Sequence, residues 1–344
     1  MQNNYFSSCY PYRATVTLGN MTTLPSSLDN MTILYFYTME LSLHATNVLV
    51  AGMRDALVHI DKVTGAIEIL AGEPAEWGYV EGVGREARFA LITGIAQLEH
   101  EYILSDSNNH CLRSVNYLSK ETQAFAGLCE AEGTADGSLV SARFMSPHGL
   151  MRDPSNHNAI YLVDDKVLRK IDLSAETVIT LPGSHLSVFS DGITMNPAGG
   201  ILVTSEHGVM QYTLNETVQW LTGKTTQGTA CDECDIALAK FFRPVGLRFI
   251  TPEVLLVADR YNHKLRLVNL TSRRVTAIGA GEGRQDGPYQ DSKLHIPQSI
   301  AVDNSFIYIG EDAAQGGGVR KLAYTGMSDS SLTQVCLTSY NNTR

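Results

Sequence analysis

The sequence predicts an all-β chain: one six-bladed propeller of four-stranded antiparallel blades, closed by its terminal strands. Three observations carry this expectation. A short apolar run recurs six times, an alternating run follows each copy, and Gly, Asn and Asp punctuate the breaks between them. A period near 50 residues with four short strands per unit is the pattern of a propeller blade. The whole chain, 1–344, is read as one propeller. Residues 1–44 form the N-terminal closing strand and first inner strand, 45–325 the repeats, and 326–344 the C-terminal closing strand and tail.

The first run of each copy ends on a small or acidic residue: Gly52, Asp106, Asp164, Ser205, Asp259 and Glu311, spaced 54, 58, 41, 54 and 52 positions apart. The run after it carries an Arg in most copies, at Arg113, Arg169, Arg266 and Arg320; the copy around Met210 lacks it. A third run closes on Gly72, Gly127, Gly183 or Gly279, and a fourth element opens at Gly94, Gly149, Gly192, Gly246 or Ser299. Period-2 patterning with β-branched residues makes each of these a strand. Residues 32–43 read as the innermost strand of the first blade. Residues 13–19 alternate like a strand and are expected in the last blade, beside 319–324 and 332–338.

The chain has 344 residues, 44% of them hydrophobic and 18% charged, enough to bury a sizeable core. Lys+Arg number 26 against 36 Asp+Glu, a net charge of −10, which argues against a nucleic-acid groove or an anionic membrane surface. No apolar stretch approaches the ~20 residues of a membrane span, so the given chain is expected not to insert into a membrane itself.

Recurrent Asp and Arg residues cannot all serve one active site, so they read as structural: a carboxylate at a strand end satisfies loop N–H groups and a neighbouring guanidinium. Asn109-His110 and Asn262-His263 fall in those turns, where Asn is suited to the left-handed conformation. Between blades, Phe89, Phe144 and Phe241 line up behind Ala-Arg or Ala-Lys, with Pro147, Pro244 and Pro297 three residues beyond the Phe or Leu column. That column reads as packing between blades. Asp106-Ser107-Asn108-Asn109-His110-Cys111-Leu112-Arg113 and Asp259-Arg260-Tyr261-Asn262-His263-Lys264-Leu265-Arg266 resemble the NHL repeat, over roughly 45–325 of the chain.

Five N-x-[ST] sequons, at Asn20, Asn30, Asn215, Asn269 and Asn341, and six cysteines lean toward the secretory pathway. With the overall size, the sequons make the chain resemble the ectodomains of kinetoplastid flagellar adhesion glycoproteins. That resemblance implies an extracellular or cell-surface protein of the flagellar or plasma membrane, tethering a flagellum membrane to the cell body through a partner ectodomain, with its anchor outside this sequence. Cys111 and Cys129 flank a strand-turn-strand stretch and are expected to pair. Cys231 and Cys234 are expected to form a local disulfide, with half a zinc site or a redox pair as the alternatives. Cys9 and Cys336 could lock the ring, although six cysteines allow 15 connectivities.

Three long inserts, 73–88, 225–239 and 281–295, are expected on one face. They carry Trp77, Tyr79, Arg284 and Tyr289, residue types that dominate interfaces, as candidates for contact with another protein. Asn215 and Asn269 are expected on the opposite face, leaving this one bare. No catalytic motif is present, and no metal or cofactor site is expected. His148 with Asp191 at the channel mouth offers two ligands and no third. The competing readings are a metal-dependent propeller hydrolase or lyase and a secreted carrier of a small ligand.

Overall fold

The computed structural model describes residues 17–24, 36–186, 191–223, 228, 231, 233–312 and 318–325. Six antiparallel sheets follow one another along the chain. From the inner to the outer strand, the first four blades are Thr38–Leu41, Val48–Gly52, Ala56–Asp61, Ile67–Gly72; Ile92–Gln97, Glu101–Asp106, Cys111–Asn116, Glu121–Ala126; Pro147–Arg152, Ala159–Asp164, Val167–Asp172, Thr177–Thr180; and Ile193–Met195, Ile201–Ser205, Gly208–Tyr212, Val218–Gly223. The fifth runs Pro244–Thr251, Val254–Asp259, Lys264–Asn269, Arg274–Ile278. The sixth is Pro297–Val302, Phe306–Glu311 and Val319–Thr325, completed by Thr17–Thr23 from the start of the chain.

That last pairing closes the ring. Thr17–Thr23 runs antiparallel to Val319–Thr325, with a bulge between Leu18 and Met21, and the inner strands of the first and last blades touch. Closure packs the faces of the first and last blades against each other, and the ring leaves only short strand edges on each blade. The closing strand was expected over 13–19; its described part starts at Thr17, and 13–16 and 332–338 lie outside the described residues. The first inner strand, expected over 32–43, is described as Thr38–Leu41.

Among the described residues, the expected four strands per blade are found in the first and fourth blades. In the other four a short strand is added outside the fourth: Gly82–Val83, Gly137–Ser138, Glu233–Asp235 and Gly287–Pro288. These fifth strands come from the inserts, which lie down along the edge of the following blade. The insert at 128–143 behaves in the same way as the three singled out by length.

The core is split into six apolar layers, each between neighbouring blades. Phe89, Phe144, Phe241 and Leu294 are wholly buried in four of them, so the expected column is packing. Gly127 shows how tightly that column is set: its φ is +85°, and a Cβ there would lie 2.7 Å from the Phe144 ring.

Candidate functional site

The inserts form the candidate functional face, and a repeated buried ion pair fixes them there. Arg113 Nη1 lies 3.3 Å from Asp106 Oδ2, Arg169 Nη1 2.8 Å from Asp164 Oδ2 and Arg266 Nη1 3.2 Å from Asp259 Oδ2. In the sixth blade Glu311 replaces Asp, 3.6 Å from Arg320 Nη1. All eight groups are essentially inaccessible to water.

Each guanidinium reads the insert twice. Nη1 donates to the carbonyl just before the Phe/Leu column, at Arg88, Arg143, Lys240 and Lys293. Nη2 donates further back, to Val80, Ala135, Cys231 and Gln285. Each carboxylate accepts the N–H just after the column, from Ala90, Met145, Phe242 and His295, at 2.7–2.9 Å. The pair therefore clamps both sides of the aromatic anchor. Arg113, Arg169 and Arg266 also lie 5.2–5.3 Å from the rings of Phe89, Phe144 and Phe241.

The two blades for which no fifth strand is described lack the pair. By strand register, Met53 and Val58 stand in its place in the first blade, one residue beyond the Gly52 expected from the sequence; Ser205 and Met210 stand there in the fourth. The turn residues also differ from expectation. His110 and His263 adopt the left-handed conformation, at φ 57° and 54°. Asn109 and Asn262 instead use their amides, each donating to the neighbouring Asp and to an insert carbonyl, Gly78 or Gly228.

Of the four candidate contact residues, Trp77 stands out from the surface, 66% exposed, with the Arg54 guanidinium 5.7 Å from its ring centroid. Tyr79 covers Arg113 at 4.6 Å and hydrogen-bonds Glu81. Arg284 reaches the Asp312 carbonyl and approaches Glu311 at 3.7 Å. Tyr289 packs on the core of the last two blades, and its carbonyl accepts from Gly279. The structure thus gives Tyr79, Arg284 and Tyr289 contacts within the chain.

Cys111 and Cys129 are disulfide-bonded, joining the third strand of the second blade to the next insert. Closing a loop of that span is worth about 3 kcal/mol in the chain-entropy picture. Cys231 and Cys234 are bonded to each other, and the Cys231 carbonyl is the one Arg266 reads. Cys9, Cys336, Asn30 and Asn341 lie outside the described residues. Asn215 and Asn269 follow or end the third strand of their blades, on the face opposite the inserts, while Asn20 is exposed in the closing strand.

The central channel is obstructed. Glu40 of the first inner strand forms an ion pair with Arg248 of the fifth across it. Cavities of about 50 and 280 Å³ lie along it, both bordered by Glu40, Leu150 and Arg248. At the insert-face mouth, His148 Nδ1 is 3.2 Å from Asp191 Oδ1, a close approach without an aligned hydrogen bond. His148 Nε2 sits 2.9 Å from the Ser146 hydroxyl. Ser146, His148 and Asp191 thus form a serine–imidazole–carboxylate row. The sequence reading found two of the three; Ser146 was legible as the residue two before His148, since i and i+2 share one side of an extended chain.

No family model matches the sequence. No curated protein matches it either. The fold matches solved propellers at low identity. An auxiliary nutrient binding protein from Bacteroides ovatus aligns over 91% of this chain and 78% of its own, at 16% identity and TM-score 0.67. Virginiamycin B lyase from Staphylococcus aureus aligns over 90% and 99%, at 10% identity and TM-score 0.55. The extracellular domain of a putative one-component system from Bacteroides thetaiotaomicron aligns over 84% and 32%, at 12% identity and TM-score 0.50. These likenesses establish the propeller fold.

Burial raises the carboxylates of the clamp. Desolvation outweighs the hydrogen bonds and the Arg charge, pushing Asp106 and Asp259 up to about 6 and Glu311 up to about 7. An unfolded carboxylate titrates near 4, so between those values the folded chain binds more protons than the unfolded one. The contribution of these groups is therefore full below about pH 4 and declines as pH rises through about 6 and 7. In the Asp259→Asn variant the fall in melting temperature between pH 4.5 and 7 should be shallower than in wild type; equal slopes would show that Asp259 ionises as readily folded as unfolded.

Proposed function

We propose that the chain is an extracellular propeller that binds another protein through its insert-bearing face. The observation that carries this reading is where the apolar surface lies. Of the eleven large hydrophobic side chains exposed among the described residues, six are on inserts: Trp77, Val80, Val83, Leu128, Val140 and Leu238. Three of them fall within one insert, with Trp77 as the anchor that interfaces favour.

Two lines support an extracellular setting. The disulfides suit an oxidising compartment, and glycans on sequons Asn215 and Asn269 would lie away from the inserts. The names of the similar structures, nutrient binding and an extracellular domain, fit a binding role. The resemblance to flagellar adhesion glycoproteins extends the proposal to adhesion, with a cell-surface ectodomain as partner and a flagellum membrane tethered to the cell body.

A second reading, a hydrolase acting at the channel mouth, is favoured by the row Ser146–His148–Asp191. In it Ser146 would be the nucleophile, His148 the base and Asp191 the group orienting the imidazole. Active-site labelling by a fluorophosphonate, lost in Ser146→Ala, would support it; wild type left unlabelled would remove it.

For the binding reading, wild type and a Trp77→Ala/Val80→Ser variant of equal melting temperature should be compared in capture from surface-labelled cells of the source organism. The variant is expected to lose at least roughly tenfold in captured partner, since anchor truncations cost ~2 kcal/mol or more. Equal capture would overturn the assignment of this face.

A further inference from the structure

The three inserts before the second, third and sixth blades share one hydrogen bond, from Gly78, Gly133 or Gly283 N–H to the carbonyl of Phe89, Phe144 or Leu294. This register makes Trp77, Glu132 and Glu282 equivalent positions. It likewise makes Ala90, Met145 and His295 equivalent, each one residue beyond the column. Both positions lie against the turn between the second and third strands of the preceding blade, where His110 and His263 correspond.

Among the described residues, only the junction of the fifth and sixth blades combines two imidazoles with a carboxylate. Ligand atoms of His263, Glu282 and His295 all lie within 4.8 Å of one another, and the two rings are 5.7 Å apart, tilted by 41°. At the equivalent junction of the second and third blades Met145 replaces the second His, and His110 Nδ1 is bonded to its carbonyl at 2.6 Å. The cluster is therefore a local departure from the repeat rather than part of it.

The supports of the three residues are rigid. The turn bearing His263 is held by Asn262 on Asp259. His295 has its N–H on Glu311 Oε1, and its side chain is 8% exposed. Glu282 and Leu294 form an isolated bridge, which keeps Glu282 beside His295 while leaving its carboxylate 67% exposed. One buried and one half-buried imidazole beside an exposed carboxylate can close on an ion with little reorganisation. A metal on either ring nitrogen of His263 displaces one long hydrogen bond, Ile296 N–H to His263 Nδ1 at 3.2 Å, because Nδ1 must then hold the metal or the ring proton.

We infer that His263, Glu282 and His295 form a zinc-binding site that braces the insert of the closing blade to the turn of the fifth. Two imidazoles and a carboxylate suit zinc better than calcium or magnesium, which take oxygen ligands. A fourth position faces solvent beside the exposed Glu282 carboxylate and is left for water. This inference stands independently of the binding proposal.

The test uses the untagged chain, stripped with chelator and titrated with ZnCl₂. Wild type is expected to retain about one zinc per chain through desalting and to melt higher with zinc than with chelator, because a ligand held by the native state alone stabilises it. Substituting Co²⁺ should give the visible bands of a four-coordinate nitrogen and oxygen site. His263→Gln and His295→Gln should each weaken zinc binding by roughly tenfold or more while melting with chelator as wild type does. Should either His variant be misfolded, Glu282→Gln, on an exposed side chain, provides the same comparison. Wild type that takes up no zinc, variants that bind it equally, or a cobalt spectrum showing thiolate bands would each overturn the site.

Discussion

The guanidinium groups of Arg113, Arg169, Arg266 and Arg320 have no access to water, and a charge in that position persists only beside an opposite charge and acceptors that fill its remaining N–H groups. Here the acceptors are carbonyls of the inserts, and the opposite charge is a carboxylate that also takes an insert N–H. Each pair therefore joins a blade to the loop that leads into it, with the Phe or Leu column seated between the two attachments. Loss of the guanidinium would leave a buried carboxylate without its counter-charge, at a cost of about 3–5 kcal/mol; loss of the carboxylate would leave Arg169 and Arg320 a second partner on the insert, Asp136 and Asp286. Where Met53/Val58 and Ser205/Met210 occupy those positions, no fifth strand is described.

This constraint explains how a face rich in loops is built on a rigid ring. The inserts do not project freely; they are strapped along blade edges, and only the positions that the clamp does not use are open to variation. Trp77, Glu132 and Glu282 share one such position. In the first insert it displays an aromatic ring to solvent, and in the last it carries a carboxylate beside two imidazoles. The channel is crossed by the ion pair of Glu40 and Arg248.

Much of this was legible in the sequence because it repeats. The six strand-end residues, the Arg column and the Phe column gave blade number and strand order, and the chain-end strand gave the closure. The fifth strands were not legible: two or three residues such as Gly82–Val83 carry no period-2 signal, and their pairing depends on the buried Arg rather than on local propensity. Tyr79, Arg284 and Tyr289 look like interface residues by type; the contacts each makes within the chain, which leave all three half-buried, depend on tertiary packing that residue type does not report. The cluster of His263, Glu282 and His295 was hidden for a related reason: its members belong to two structural units, and the spacing of 19 and 13 positions between them matches no metal motif.

The central claim is that the carboxylate–guanidinium pair, rather than the fifth strand itself, holds each insert in place. Hydrogen exchange on Arg113→Met tests it directly, because only one of the four clamps is removed. The account predicts faster exchange confined to amides of residues 78–90, including Arg88 N–H and Ala90 N–H, with the equivalent amides of 133–145 and 283–295 protected as in wild type. Unchanged protection across 78–90 in a folded variant would contradict it.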